Sequence, residues 1–479
     1  MHRQLLLVDL IEGLSYRRPN GLEMPVRPVL DSRQAGPGAV FFAFAGENVD
    51  GHDFVADALA RGAAAAVIER PVDVAAATLD LTGGALEFAA LETPLLIQVP
   101  TVLGALQQAA TFWRQQLQPR VVGITGSVGK TTTKEVVAQV LARRYHVIRS
   151  AGSYNNEIGL PLTLLQLHSD HERVVLEMGM YVRGDIRLLA GIAGPQVGVV
   201  TNVEPVHLER AGTLENIALA KRELVDALPE AEAGGVAVLN YDDPHVRAMA
   251  EHTSARIFYY GLAQQADLWA DEVRSLGLEG VRVRLHYRDE QLYVRAPLLG
   301  QHSVHTILRA AAVGLIEGLS WQEIVEGLRE ISAQLRLVTV EGPKGSLVLD
   351  DTYNSSPPSA LAALNLLEDL DGRKIAILGD MLELGAYEEE GHLKVGCRAA
   401  DVVSQLIVVG QLAEWIARGA IICGLPRERV HFAIDNAAAV QVLHEILEPG
   451  DVILVKGSRS MHMEEIVAAL SQEDGWDSR

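Results

Sequence analysis

The stretch "RVVGITGSVGKTTTKEVVAQVLARR", residues 120–144, decides the fold because it combines a strand, a glycine-rich loop and a helix. The apolar run at its start predicts a buried strand, and the apolar faces after the loop predict a helix. A glycine-rich loop between a strand and a helix is the setting in which proteins bind nucleotide phosphates. The stretch therefore predicts an α/β nucleotide-binding fold.

The loop departs from the common pattern G-x-x-x-x-G-K-[ST], because Ile124 stands where the first glycine belongs. Gly126 and Gly129 still permit the backbone turns that a Cβ would obstruct. The following N–H groups point at phosphate oxygens, while Lys130 offsets β/γ-phosphate charge and the Thr131 hydroxyl binds Mg²⁺. A chance glycine-rich turn is the alternative. The predicted nucleotide contacts are Gly126, Ser127, Gly129, Lys130, Thr131 and Thr132.

The overall charge limits the kinds of partner that this chain can bind. With 41 basic and 62 acidic residues, its formal net charge is −21, which repels nucleic acid and anionic membrane surfaces. No apolar segment of the sequence approaches the length of a membrane span. Two cysteines, Cys397 and Cys423, predict neither a disulfide framework nor a cysteine-rich metal site. We expect a soluble cytoplasmic protein without a nucleic-acid partner.

The 479 residues are too many for one hydrophobic core, and three units are predicted. Residues 1–115 are rich in alanine and glycine, with short strands and helices. Residues 116–334 hold continuous apolar runs that indicate parallel strands, and then "VRVRLHYRDEQLYVRA", whose alternation predicts an antiparallel hairpin at the sheet edge. Residues 335–479 alternate strands and helices again, which favours a parallel sheet.

Two polar side chains follow neighbouring strand patterns of the second unit. Glu177 ends the apolar run "RVVLEMG", and His207 follows "VGVVTNV". Ligands bind outside the carboxyl ends of strands in α/β sheets, so both are predicted at one crevice, where Glu177 suits Mg²⁺. An exposed acid and an ordinary loop histidine are the alternatives. Lys221 lies on the next predicted helix, and the residues alone favour a solvated helix lysine there.

Two loops of the third unit form a second candidate crevice. "LDDTYNSSPPS" places polar residues at a strand end, with Pro357 and Pro358 at a predicted helix start. "LVKGSRSM" likewise places polar residues at the end of the last strand. Ordinary connecting loops are the alternative. The candidate residues are Asp350, Asp351, Tyr353, Asn354, Lys456, Ser458 and Arg459.

Taken together, these motifs resemble the Mur ligases, ATP-dependent amide-forming enzymes of peptidoglycan precursor synthesis. The family's loop, T-G-x-x-G-K-[ST], is matched by "TGSVGKT". The stretches "SYNNEIGLPLTLL", "DDTYNSSPPSALAAL", "LGDMLELG" and "VKGSRSM" also resemble the family, and "DSR…GENVDGHDF" resembles its UDP-sugar-binding domain. The likeness runs over nearly the whole chain and is greatest to the member that uses D-alanyl-D-alanine. The "DNPR" motif of the diaminopimelate- or lysine-adding member is absent.

The resemblance implies an α/β protein of three domains. These are a small N-terminal UDP-binding domain, a central P-loop ATPase domain with a parallel sheet and a small antiparallel edge, and a C-terminal Rossmann-like domain. It also implies that ATP, with Mg²⁺, phosphorylates the terminal carboxylate of UDP-N-acetylmuramoyl-tripeptide. The amine of D-alanyl-D-alanine then attacks the acyl phosphate, and we expect the enzyme to act as a monomer.

The resemblance further assigns roles to single residues. Lys130 and Thr131 correspond to the phosphate and Mg²⁺ residues, Glu177 and His207 to ligands of a second Mg²⁺, and Lys221 to a lysine that is carbamylated in several members. Contacts with ATP are implied for Asn155, Asn156, Arg336 and Asp351. Ser32 and Arg33 correspond to residues that contact the uridine nucleotide. Residues at the dipeptide site correspond to Tyr353, Asn354 and Ser355.

One motif departs from the family. The helix after the hairpin usually reads G-x-H-N-x-x-N, but "GQHSVHT" has Ser303 and Thr306 in the asparagine positions, which removes the paired geometry of the amides. Three other functions remain alternatives: a folylpolyglutamate synthetase, a P-loop switch that hydrolyses nucleotide without ligation, and a degenerate homologue. Intact Lys130, Glu177 and His207 argue against the last.

Overall fold

The computed structural model describes residues 3–46, 49–83, 91–206, 208–330 and 338–471. Within these residues the strands form three separate sheets of five, nine and six strands. The three sheets follow one another along the chain, so each is built from a continuous part of the sequence.

The first sheet consists of parallel strands only, in the order β1-β2-β3-β5-β4. Short runs such as "AAVI" form strands because every side chain in them is buried. The strands are β1 (Arg27–Val29), β2 (Ala39–Phe42), β3 (Ala65–Ile68), β4 (Ala77–Asp80) and β5 (Leu95–Gln98), and the helices are α1 (Leu7–Ser15), α2 (Val55–Ala60) and α3 (Val102–Leu117).

The second sheet joins a parallel part to the predicted antiparallel edge, in the order β14-β13-β12-β11-β10-β9-β6-β8-β7. Its strands are β6 (Arg120–Thr125), β7 (Val147–Arg149), β8 (Arg173–Glu177), β9 (Val197–Val200), β10 (Val236–Asn240), β11 (Arg256–Gly261), β12 (Leu268–Ser275), β13 (Val281–Tyr287) and β14 (Glu290–Ala296). Its helices are α4 (Lys130–Leu141), α5 (Gly159–Leu165), α6 (Asp185–Ala193), α7 (Leu208–Ala211), α8 (Leu214–Asp226), α9 (Pro244–Ala248), α10 (Val304–Ile316) and α11 (Trp321–Arg329).

The position of β6 in the second sheet fixes the place of the candidate site. β6 lies between β8 and β9 and is parallel to both, and the chain leaves β6 for one side of the sheet and later returns to the other. A ligand crevice opens outside the carboxyl ends of the strands at such a point. The loops that follow β6, β8 and β9 therefore meet there.

The third sheet has the order β15-β16-β20-β17-β18-β19. It differs from the predicted all-parallel sheet in one strand, because β15 runs antiparallel to β16; a short turn at Pro343–Gly345 joins them as a hairpin. The strands are β15 (Val338–Glu341), β16 (Leu347–Asp351), β17 (Lys374–Gly379), β18 (Gln405–Val409), β19 (Val430–Ala433) and β20 (Val452–Lys456). The helices are α12 (Pro357–Glu368), α13 (Glu388–Val402), α14 (Glu414–Ile422), α15 (Asn436–Ile446) and α16 (Glu464–Leu470).

The two cysteines are bonded to each other, which their small number in the sequence did not predict. Cys397 and Cys423 form a disulfide, with their Cα atoms 5.0 Å apart. Helices α13 and α14 approach closely because Gly396 faces the Ile416 carbonyl, where an added Cβ would lie only 2.0 Å from the oxygen. This close packing brings together two residues separated by 26 positions, a proximity that counting cysteines does not reveal.

Candidate active site

The loop between β6 and α4 has the geometry of a phosphate-binding loop. Gly126 has φ +146°, and a Cβ there would lie 1.8 Å from the Thr201 Oγ1 atom. Gly129 has φ +81° and caps α4 without a side chain, so the helix N-terminus can present its N–H groups to an anion. Both glycines are therefore required by the shape of the loop.

The end of β9 holds this loop in place. The Thr201 hydroxyl donates to the Val128 carbonyl at 2.8 Å, and the Val128 N–H donates to the Asn202 side-chain oxygen at 2.9 Å. The Ser127 hydroxyl donates to the Glu204 carbonyl at 3.0 Å. These bonds preorganise the loop before a ligand arrives, so less entropy is lost on binding.

Lys130 lies at the start of α4 and folds back over the loop. Its ammonium donates to the carbonyls of Gly126 and Ser127 at 3.0 and 3.2 Å. Burial lowers the pKa of Lys130, and the nearby Glu177 carboxylate acts in the opposite direction. A cation above a phosphate loop is suited to neutralise phosphate charge.

Glu177 lies at the carboxyl end of β8 with only 1 % of its surface exposed. One carboxylate oxygen accepts from the Thr131 hydroxyl at 2.8 Å, and the other accepts from the Asn155 amide at 2.8 Å. A hydroxyl and a carboxylate oxygen this close together form the hard donor set that Mg²⁺ prefers. The residues present therefore fit a magnesium ion.

Lys221 is buried on α8 with 2 % of its surface exposed, so the solvated lysine favoured by the residues alone is wrong. Helix α8 packs on β6, where Leu224 lies 3.0 Å from the Cβ position of Gly123, and Lys221 shares this inner face. Burial, and then repulsion from Lys130, lowers the pKa of Lys221 well below its usual value.

The two adjacent asparagines have different surroundings. Asn155 reaches Glu177, as described above, whereas Asn156 is exposed and its side-chain oxygen accepts from the Gly159 N–H at 2.9 Å. The side chain of Asn156 thus stabilises the start of α5. His207 and Arg336 lie outside the described residues.

The two polar loops of the third sheet meet as predicted. Asp351 and Lys456 are paired across β16 and β20, and the Lys456 ammonium lies 2.7 Å from the Asp351 carboxylate. The same ammonium donates to the Asn354 carbonyl at 2.8 Å. Lys456 is 2 % exposed, so its charge is committed to this ion pair, which fixes the two loops against each other.

Tyr353 links this region to the second sheet. Its hydroxyl donates to the Ser153 hydroxyl at 2.8 Å, while the residue as a whole is 62 % exposed. The Arg459 guanidinium lies 5.9 Å from the centre of the ring, and Ser355 beside it is buried. Tyr353 and Arg459 therefore present accessible polar groups where the two sheets approach.

A cleft of about 300 Å³ lies between the second and third sheets. Glu204 borders it and also holds Ser127 of the phosphate loop, so the cleft opens beside the nucleotide site. The lining residues are Glu204, Pro205, His302, Pro357, Pro358, Leu361, Ala362, Asn365, Tyr387 and Lys394.

Ser32 and Arg33 follow β1 in the first sheet. Ser32 is buried, whereas Arg33 is exposed and pairs with Asp31 at 2.7 Å. This guanidinium and the Arg33 N–H lower the pKa of Asp31 to about 2. The turn therefore displays an arginine whose charge is shared with a neighbouring acid.

Three family models match the chain and together span most of it. The Mur ligase middle domain matches residues 124–314, the Mur ligase glutamate ligase domain residues 335–459, and the Mur ligase family catalytic domain residues 29–113.

The chain belongs to the Mur ligase family.

Individual proteins of this family are similar to the chain over most of its length. A UDP-N-acetylmuramoyl-tripeptide–D-alanyl-D-alanine ligase of Mycobacterium bovis is 38% identical over 93% of this chain and 92% of its own length. The enzyme of that name from Bacillus subtilis is 35% identical over 92% of each chain. This Mur ligase is thus similar to them over more than nine tenths of its length.

Solved structures agree with the sequence matches. A crystal structure of MurF from Acinetobacter baumannii aligns with a TM-score of 0.83 and 28% identity over 98% of this chain and 99% of its own. MurF ligase from Thermotoga maritima in complex with ADP aligns with a TM-score of 0.78 and 28% identity over 94% and 97%. The three-domain α/β fold predicted for this Mur ligase is confirmed. None of its described helices combines the length and apolar character needed to cross a membrane.

Sequence reasoning missed three residues of this Mur ligase site. Thr201 and Asn202 clamp the phosphate loop, and Arg309 on α10 lies beside Gly129. The strand-end position of "VVTNV" was a signal for the first two. Arg309 gave no signal, because an arginine inside an apolar helix pattern indicates a surface position.

Proposed function

We propose that this chain joins D-alanyl-D-alanine to the terminal carboxyl of UDP-N-acetylmuramoyl-tripeptide at the expense of ATP, giving the pentapeptide precursor of peptidoglycan. The observation that carries the proposal is the grouping of Lys130, Thr131 and Glu177 at a preorganised phosphate loop. Relatives whose names state this reaction match more than nine tenths of the chain, which supports the choice of substrates. The cytoplasm, where ATP and the nucleotide-linked precursor are available, is the proposed location.

The reaction has two bond-forming steps. A carboxylate oxygen of the tripeptide attacks the γ-phosphorus of ATP, and ADP leaves. The dipeptide amine then attacks the acyl carbon, and inorganic phosphate leaves as the amide forms. In the first step Lys130 offsets the negative charge that accumulates between the two anionic reactants.

Thr131 and Glu177 would hold Mg²⁺, with His207 as a further proposed ligand. When bound, the ion supplies electrophilic stabilisation of the transferring phosphoryl group. Asn155 orients Glu177 through its amide, and the backbone N–H groups of the loop bind the phosphate chain. Glu177 is almost fully buried, so this carboxylate is held in one place by its partners.

Lys221 is proposed to be carbamylated and to act as an anionic group near the metal. Its lowered pKa favours the neutral amine that reacts with carbon dioxide, and the carbamate would place an anionic group close to the Lys130 cation. Incubation with ¹³C-labelled bicarbonate should give a carbamate ¹³C signal that Lys221→Arg lacks. A signal that persists in this variant contradicts the assignment.

The remaining substrate contacts are proposed from their positions. Ser32 and Arg33 would bind the uridine nucleotide, while Tyr353, Asn354, Ser355, Lys456 and Arg459 would form the dipeptide side of the site. Asn156, Arg336 and Asp351 are proposed near the nucleotide. The proposed domains are residues 1–115, 116–334 and 335–479, with the second boundary outside the described residues.

Release of phosphate, measured with each substrate omitted in turn, tests the function. We expect turnover only when ATP, UDP-N-acetylmuramoyl-tripeptide and D-alanyl-D-alanine are all present. Parallel assays with diaminopimelate or lysine as the third residue identify the preferred tripeptide. ADP formation at an equal rate without the dipeptide would show a nucleotide hydrolase instead.

Lys130→Ala is the first variant to examine. Loss of the cation over the phosphate loop should lower kcat by at least about a hundredfold, while the affinity for the UDP-tripeptide stays unchanged. Steady-state assays measure kcat, and calorimetry measures the affinity for the UDP-tripeptide. The control is Lys374→Ala, because that ammonium donates to the Gly372 carbonyl in an exposed bond outside the phosphate loop. Wild-type turnover in Lys130→Ala would refute the role of this residue.

A further inference from the structure

Arg309 is a buried cation without a described carboxylate partner. It lies in the middle of α10 with 4 % of its surface exposed, and no ion pair within 4.0 Å joins it to an acid of the described residues. A buried charge that lacks a counter-ion is strongly unfavourable. Proteins retain such a charge where a ligand supplies the missing partner.

The guanidinium also has hydrogen-bonding capacity to spare. One terminal nitrogen donates to the Thr306 hydroxyl at 2.8 Å, while the buried Nε atom has no acceptor in the described structure. The group lies 5.8 Å from the centre of the Tyr260 ring. Arginine carries five N–H donors, so several remain for a further ligand.

The position of Arg309 indicates what this ligand is. The terminal nitrogen Nη2 lies 3.3 Å from the place where a Cβ of Gly129 would stand. Gly129 is the residue of the phosphate loop that begins α4, and nucleotide phosphates gather at such a helix N-terminus. This charge, which pairs with no acid of the described residues, therefore lies at the loop that takes the phosphate chain.

We propose that Arg309 is a second nucleotide-binding cation, whose charge is compensated by the phosphate chain of ATP or ADP. Thr306 holds the guanidinium in place, which gives a role to one of the two positions where this sequence lacks an asparagine of the family motif. The inference rests on the proposed nucleotide site, but it concerns binding of the nucleotide and does not depend on which acid and amine are joined.

Removing the charge of Arg309 should affect the stability of the empty protein and the binding of nucleotide in opposite directions. Arg309→Met keeps most of the side-chain volume and removes the charge. Since an uncompensated buried charge destabilises the empty protein, the ligand-free melting temperature of Arg309→Met should equal or exceed that of the wild type. The rise in melting temperature on addition of ADP should be largely lost.

Calorimetry with adenosine, AMP and ADP tests the assignment to phosphate. Relative to the wild type, Arg309→Met should weaken ADP binding by about tenfold or more, weaken AMP binding less and leave adenosine binding unchanged. Arg309→Lys should restore part of the ADP affinity, because it keeps the charge. Thr306→Val should weaken ADP binding less than Arg309→Met, because the charge remains.

The control is Arg114→Met on α3, a half-buried arginine whose side chain donates to the Ile192 carbonyl and lies outside the phosphate loop. It should keep wild-type ADP affinity. ADP binding by Arg309→Met within about twofold of the wild type overturns the proposal, as does an equal loss of adenosine and ADP affinity. The substrate-omission assay is independent, so the ligase assignment can fail while the ADP result stands.

Discussion

Gly126 is a point at which the phosphate loop passes close to Thr201, the residue that follows β9. Its φ of +146° lies in a region that glycine favours, and Thr201 occupies the space where a side chain would begin. The Thr201 hydroxyl is itself needed, because it donates to the loop at Val128. Glycine at position 126 thus permits both the positive φ of the loop and its close approach to Thr201.

Gly126→Ala should abolish nucleotide binding. The new Cβ would lie 1.8 Å from Thr201 Oγ1, so either the loop or the end of β9 has to move, and the N–H groups lose their common orientation. Calorimetric titration with ADP measures the loss. The matched control is Gly184→Ala before α6, which has φ +104° and where an added Cβ meets nothing within 4 Å. ADP binding at wild-type affinity in Gly126→Ala would contradict this account of the loop.

Among the elements, α11 shows how local sequence fixes a helix boundary. Ser320 and Glu323 form a capping box, in which each side chain accepts from the other's backbone N–H. Arg144, next to the end of α4, donates to the same Glu323 carboxylate at 2.6 Å. The side-chain bond from Arg144, followed by the bonds from Ser320, lowers the pKa of Glu323 from 4.5 to about 2.

The lowered pKa of Glu323 gives the capping box a pH dependence. Because the folded protein prefers the ionised carboxylate, its stabilising contribution is complete above the ordinary pKa of 4.5 and is lost as the pH falls towards 2. Glu323→Gln should therefore unfold at a lower temperature than the wild type at pH 7, and this difference should shrink from pH 5 to pH 3. Thermal unfolding followed by circular dichroism measures it, with exposed Glu232→Gln as control. A difference that is constant with pH would contradict the assigned cause.

At the scale of the whole molecule, hydrogen bonds between described residues join the units of the second and third sheets near the site. The Glu209 N–H of α7 donates to the Glu383 carbonyl at 3.3 Å, and Tyr353 reaches Ser153 from the other sheet. The cleft between these sheets takes its walls from both. Catalysis that uses residues of both units therefore depends on how the two units are held relative to each other.

Gly385→Ala tests this dependence. Gly385 has φ +53°, and its Cβ would lie 3.0 Å from the Glu209 backbone nitrogen, so the substitution pushes the two units apart. We expect kcat to fall by about tenfold and ADP affinity to fall less, since the phosphate loop belongs to the second unit and only the proposed contacts of Arg336 and Asp351 come from the third. Gly345→Ala is matched in conformation, with φ +67° and open space around the Cβ. Equal effects of the two substitutions would indicate backbone strain rather than a displaced unit.

The sequence by itself determined the alternation of strands and helices, the antiparallel hairpin, the phosphate loop and the strand-end position of Glu177, but not the antiparallel edge strand β15. These features depend on periodicity and on residue types within a few positions of each other, which the sequence displays directly. Even the loop that failed the common pattern was recognisable, because Gly126, Gly129 and Lys130 kept their strand and helix flanks.

Only the tertiary structure decided the burial of Lys221, the clamp formed by Thr201 and Asn202, the burial of Arg309 away from any described acid and the disulfide between Cys397 and Cys423. Each of these results from contacts between segments far apart in the chain. A helix pattern shows which residues share a face, but not what that face packs against. Burial and pairing, which set the charge state and partners of these groups, are therefore properties of the assembled fold.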